Sequence, residues 1–145
     1  MRVYSFANTV MIINGVEITG FSEGDDVIDI TRNGDSASHK VGADGHMVVS
    51  LSADKSGAYK FKLQSTSSSN RYLSMLAAQQ DGGTATFVPL HVKFQDLHRQ
   101  DLADGSVGYL KKHADIKTGK EAGEREWEVI VESLDMLLGD QSDLA

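Results

Sequence analysis

The chain has 145 residues, with 14 Lys plus Arg against 21 Asp plus Glu and a formal charge of −7. That balance argues against gripping nucleic-acid phosphates, which takes clustered cations, while the length suits one domain burying roughly 70% of its unfolded surface. With no Cys, disulfides, thiolate catalysis and Cys-ligated zinc are excluded.

Val3 to Ile13 is rich in β-branched and aromatic residues and is expected to be a strand. Asn14-Gly15 then predicts a hairpin turn, since both residues tolerate positive φ, with Val16-Glu17-Ile18 returning. Apolar runs such as Val10 to Ile13 are far shorter than the ~20 residues that span a bilayer, so no membrane partner is expected. Nothing at Met1 to Tyr4 reads as a signal peptide. Val27 to Arg32 alternates, with Ile28 and Ile30 on one side and Asp29 and Thr31 on the other. From Asn33 to Gly45 the alternation disappears, and the segment reads as a long loop closed by an Asp44-Gly45 turn. Long loops in compact domains tend to be functional or mobile. His46 to Ser52 resumes a strand whose Met47, Val49 and Leu51 share a face.

After the Asp54 to Gly57 turn, Tyr59, Phe61 and Leu63 alternate with Lys60, Lys62 and Gln64. This predicts a half-buried strand. A polar hinge, Ser65 to Asn70, separates it from a helical period in Tyr72, Leu73, Met75, Leu76 and Ala77. A helix over about 69–80 is expected, capped by Ser69 or Asn70 and stopped by Gly82-Gly83. Thr84 to Phe94 reads as extended, with an edge or bulge at Pro89. Gln95 to Gly105 reads as polar, with a weak helical turn at Leu97 and Leu102. Val107 to Lys111 predicts a short strand, and His113 to Glu124 a loop. Arg125 to Leu138 predicts a strand with Trp127, Val129 and Val131 inward and Glu126, Glu128 and Glu132 outward. Residues 1–138 are expected to form one domain, and 139–145 a frayed tail.

No catalytic constellation assembles. His39, His46, His91, His98 and His113 lack the close spacing of a metal site. Asp25, Asp26 and Asp29, like Asp44-Gly45, lack the EF-hand ligand pattern. Gly82-Gly83 matches neither a P-loop nor a dinucleotide fingerprint, and Ser65 to Ser69 has no nucleophile elbow around it. Neither an enzyme nor a cofactor is expected. Two features stand out: the acidic stripe of Glu126, Glu128 and Glu132, which is either a solvated face or a wall meeting something anionic, and the 33–45 loop. Lys60 and Lys62 on a neighbouring strand are available to neutralise the stripe.

Several segments in this order resemble a phage tail tube protein of a contractile tail. They are Ile12 to Phe21, Val41 to Gly45, Leu63 to Asn70 and Trp127 to Val131. The resemblance implies a mainly β fold of two packed antiparallel sheets, sandwich or barrel, with one flanking helix. It also implies hexameric rings stacked helically into a hollow tube, a partnership with sheath, tape-measure and baseplate or initiator proteins, and a place in the virion tail after assembly in the host cytoplasm. If each subunit gives about four strands, a barrel of about 24 is roughly 40–50 Å across, wide enough for duplex DNA to pass. On this reading Glu126, Glu128, Glu132 and Asp29 line the lumen. The loop, through Asn33, Asp35, Ser38, His39, Lys40 and Asp44, reaches the adjacent ring. Competing readings are the tube of a related injection machine such as type VI secretion, and a small β-barrel binding module.

Overall fold

The computed structural model describes residues 9–24, 27–97, 99–121 and 123–139. The expectations for Val3 to Asn8, Asp25, Asp26, His98 and residues 140–145 lie outside these. Among the described residues, nine strands and one helix follow in the order β1 (Thr9–Ile13), β2 (Val16–Ile18), β3 (Ile28–Arg32), β4 (Ala37–Val41), β5 (Met47–Leu51), β6 (Gly57–Gln64), α1 (Ser69–Asp81), β7 (Leu90–Asp96), β8 (Leu102–Lys112) and β9 (Glu124–Leu137). Seven strands form one antiparallel sheet in the order β2-β1-β7-β8-β9-β6-β3, and β4 pairs with β5 alone. The mainly β, antiparallel architecture with one helix is as the sequence predicts.

The sheet folds over on itself. Tyr59 of β6 donates its hydroxyl to the Val92 carbonyl of β7, three strands away in the sheet order, at 3.2 Å. Phe21, just after one margin strand, bridges to Leu63 beside the other margin. The two packed layers are thus halves of one sheet that does not close into a barrel. The longest strands, β8 and β9, run through both halves. Residues 105–108 of β8 turn the corner: Val107 adopts φ +54, a left-handed conformation that a β-branched side chain resists. Gly105 is required there, because a Cβ would lie 2.8 Å from the Tyr59 ring.

Between the layers lie Met11, Ile13, Phe61, Leu63, Val92, Trp127, Val129 and Val131, all essentially inaccessible. These are the inward positions of the period-two pattern. Burial, with the charges of Asp104 and Asp135 nearby, holds the Tyr59 phenol well above its ordinary pKa.

Helix α1 closes one end of this core with Leu73 and Ala77. The expected side-chain cap is absent: Ser68 occupies the cap position without a side-chain bond. Ser69 instead accepts from the Thr19 amide at 2.9 Å, and Asn70 is taken up by Trp127 and Gln64. Tertiary partners outbid the local cap. At the other terminus Gly82 donates to the Ala78 carbonyl and Gly83 takes φ +97, ending the helix as predicted.

Other boundaries shift. Thr84 to Pro89 is a connection rather than a strand, tied back by Thr86, whose hydroxyl donates to the Gln79 carbonyl at 2.6 Å. Pro89 immediately precedes β7, and a register shift follows between Leu90 and Val92. Of the weak helical turn expected at Leu97 and Leu102, one turn is closed by the Gln100 amide donating to the Asp96 carbonyl at 2.7 Å, while Leu102 opens a strand; the short strand at 107–111 is part of a longer one. β7 runs to Asp96 and β8 starts at Leu102, with Gln100 at φ +63 in the turn between them.

Candidate assembly surfaces

Strand directions place most of the connections at one of two ends. One end carries the start of β1, the 97–101 turn, the end of β9 and the junction of Arg32 with Gly57. The opposite end carries Asn14-Gly15, α1, the 82–89 connection and the 113–123 loop.

Residues 33–45 are not the featureless loop that their composition predicts. Ala37 to Val41 is a strand, paired with Met47–Leu51 in the register Ala37↔Leu51, His39↔Val49 and Val41↔Met47. The signal that would have revealed it is Asp44-Gly45 between two extended runs. Gly45 takes φ +84, and Asp44 accepts the His46 amide at 3.1 Å. The predicted contact residues divide. Asn33 sits at the base, donating its amide to the Ser56 carbonyl at 3.0 Å and its side chain to the Ser56 hydroxyl at 3.1 Å. Asp35 is exposed beside it, Ser38, His39 and Lys40 ride on β4, and Asp44 forms the tip.

Arg32 also anchors the base, donating to the Leu134 carbonyl at 2.6 Å. Beyond it the hairpin has no core. All ten strand residues are exposed, including Leu51 at 84% and Val48 at 66%. Ala37, Val41, Met47, Val49 and Leu51 share one face, joined by His39. A lone two-stranded hairpin is marginal in water. An apolar face offered this way marks an interaction surface.

The acidic stripe lies on the outward face of β9, as its period predicts. It is not a bare wall. Lys62 is the cross-strand partner of Glu126, and Lys60 that of Glu128. Asp29 on β3 faces Lys60 from the other side, and Lys112 of β8 is registered against Glu128. The row Asp29, Lys60, Glu128, Lys112 therefore alternates in sign across four strands. Lys111 approaches Glu128 at 3.6 Å. Glu132 is registered against no cation and makes no ion pair among the described residues.

A second charged row crosses the other half: Lys93, Asp104 and Asp135 are successive cross-strand partners on β7, β8 and β9. Asp104 also pairs with His91. A cleft of about 520 Å³ opens between Lys112, Asp115, Lys117, Glu124 and Glu126 over the buried Trp127. Its rim carries both signs of charge. Among the described residues no group of three His, Asp or Glu is placed to hold a metal ion, and no helix is long and apolar enough to cross a membrane.

A family model described as bacteriophage PhiTE tail tube protein matches residues 1–139. Comparison with curated proteins returns no match. Among solved structures, the chain is similar to one in the sheath-tube complex of an extracellular contractile injection system, PVC, in the extended state (TM-score 0.61, 8% identity, covering 92% of this chain and 90% of that one). It is similar to the tube-terminating cap of the anti-feeding prophage (TM-score 0.62, 6% identity, 96% and 93%). A third likeness is to the sheath/tube terminator of the PVC system (TM-score 0.61, 7% identity, 94% and 98%). At such identities the likeness shows the fold.

Proposed function

Because the chain belongs to the phage tail tube family, we propose that its copies stack as hexameric rings into the hollow tail tube through which duplex DNA leaves the particle. The role is structural. In this role the chain performs no catalysis and uses no cofactor. Residues 1–138 act as the tube unit, with 139–145 as a tail. Its partners are further copies of itself, the sheath, the tape measure and the baseplate or initiator. Its place is the virion tail, reached after assembly in the host cytoplasm.

The observation that carries the reading is the β4–β5 hairpin, exposed along its whole length with an apolar face. A second copy supplies the cover that the chain itself does not. Residues Asn33, Asp35, Ser38, His39, Lys40 and Asp44 then belong to an inter-ring arm. The face carrying Glu126, Glu128, Glu132 and Asp29 lines the bore. There the Lys partners hold the stripe in place, and Glu132 supplies the uncompensated negative charge that keeps phosphates from sticking.

The likeness to PVC and anti-feeding prophage structures favours one second reading: the same tube in a contractile injection machine, with a different cargo. Negative-stain microscopy of the concentrated native protein tests the tube reading: hollow rods or rings are expected, and uniform small particles overturn it. Deleting residues 35–40 tests the arm: the expected result is an intact fold by circular dichroism and no tubes, and tubes of normal length from the deletion overturn the arm's role.

A further inference from the structure

We propose that the apolar face of the β4–β5 hairpin of one copy docks on the α1 end of the next, where Met75 of the helix and Phe87 and Val88 of the connection after it are exposed. The inference rests on the tube reading above and names the surface that receives the arm.

Reach and direction come first. The hairpin leaves the body where β3 ends and β6 begins. Five residues per strand at ~3.4 Å each, plus the turn, carry its tip roughly 20 Å away. Helix α1 and the 82–89 connection lie at the opposite end, so a hairpin meeting them joins unlike ends of two copies. Such a heterologous contact repeats without closing, as a growing tube requires.

The receiving surface is exposed and held rigid. Met75 is 58%, Phe87 40% and Val88 48% accessible. Gln79 lies one turn after Met75 on the same face, and its carbonyl takes the Thr86 hydroxyl. The Phe87 amide donates to the Gly83 carbonyl at 3.1 Å. Tyr72 donates to the Ile13 carbonyl at 3.0 Å, and Gln80 bonds both the amide and the carbonyl of Leu110. A surface fixed in this way loses little entropy on binding.

One such contact is small. Covering Val41, Met47, Val49 and Leu51 together with the receiving surface removes on the order of 800 Å² from water, less than the roughly 1,000 Å² that a lone stable interface needs. Repetition around a ring multiplies it through effective concentration. The rival acceptor is the exposed cluster of Leu102, Met136, Leu137 and Leu138. It shares the hairpin's own end, so docking there joins like ends and closes a pair.

The absence of Cys makes a cross-linking test clean. Val49→Cys protein is mixed with Met75→Cys protein, and separately with Val88→Cys and Leu137→Cys, at high concentration with a short bis-maleimide. A cross-linked band at twice the chain mass is expected with Met75→Cys or Val88→Cys, and not with Leu137→Cys. Capture by Leu137→Cys, or by neither acceptor position, overturns the assignment. If the 35–40 deletion still makes tubes, the arm reading itself fails. If the deletion abolishes tubes while Val49→Cys avoids the α1 end, only the acceptor is wrong.

Discussion

Lys60 on β6 stands directly across from Glu128 on β9, and Lys62 directly across from Glu126. Opposite charges in this position each contribute a few tenths of a kcal/mol, up to about 1, whereas like charges cost a similar amount. The register thus sets a lysine, not a like charge, across from each of these carboxylates. Glu132, lying beside the β8 corner, has none. If the face lines a bore, Glu132 sets how the bore treats phosphate. Replacing Glu132 with Lys is expected to leave the fold and tube formation unchanged, since the side chain is exposed. Assembled tubes of this variant should retain duplex DNA that native tubes release, with retention falling steeply as salt rises. Filter retention of labelled DNA at low and high salt measures it. Equal release by both tubes would remove the lumen assignment of Glu132.

Asn70 holds the helix to the sheet with both ends of its amide. Its oxygen accepts the Trp127 indole N–H at 3.0 Å, and its nitrogen donates to the Gln64 carbonyl at 2.9 Å. The indole is 1% exposed, so Asn70→Ala leaves a buried donor without a partner, at a cost of about 1–3 kcal/mol. His113, packed against Trp127 at a 55° tilt with centroids 4.8 Å apart and bonded to Ser74 at 3.0 Å, limits any relaxation. In thermal unfolding, Asn70→Ala should melt several degrees lower. Adding Trp127→Phe should cost less in that background than in the native chain, because the orphaned donor goes with the indole. Additive losses would show that the indole contact contributes nothing of its own.

How far the fold can be read from the residues depends on where each segment is held. β6 and β9 were legible because each buries one face, so Phe61 and Trp127 recur at period two. Asn14-Gly15 was legible because the turn demands positive φ at both positions, and they show +50 and +84. β4 escaped because it is exposed on both faces: Ala37, Ser38, His39 and Lys40 meet no core, so no pattern is imposed on them. The β7 and β8 boundaries escaped for another reason. Gly105 and Gly108 look like loop residues, yet they sit mid-strand where Tyr59 and Val131 leave no room for a Cβ. At the candidate site the acidic side chains were visible one by one, and Lys60 and Lys62 were visible as possible counterions. Their one-to-one register was not, because register is set by strand pairing across distant parts of the chain. The receiving surface was invisible, since Met75 read as core at helical spacing.

The hairpin base is tied by a carboxylate. One oxygen of Asp54 accepts both the Ser56 amide at 3.0 Å and the Ser56 hydroxyl at 2.7 Å. These bonds favour the charged form and hold the Asp54 carboxyl below its ordinary value of 3.8, the backbone bond contributing most. A carboxyl whose folded pKa is depressed contributes stability that is fully present above the unfolded value and fades as pH falls through the folded one. The base of the arm should thus be unaffected at neutral pH and loosen only below 3.8. Ser56 also accepts from Asn33 and donates from the far side of the same junction, so loosening should reach both legs of the hairpin. Carbon-detected NMR titration of Asp54 reads it directly: the midpoint is expected below 3.8, and the amide shifts of Asn33 and Ser56 should move with it. In Asp54→Asn these amides should stop responding to acid. A midpoint at or above 3.8 in the native chain, or amide shifts that track pH equally in Asp54→Asn, would show that this carboxylate does not hold the arm.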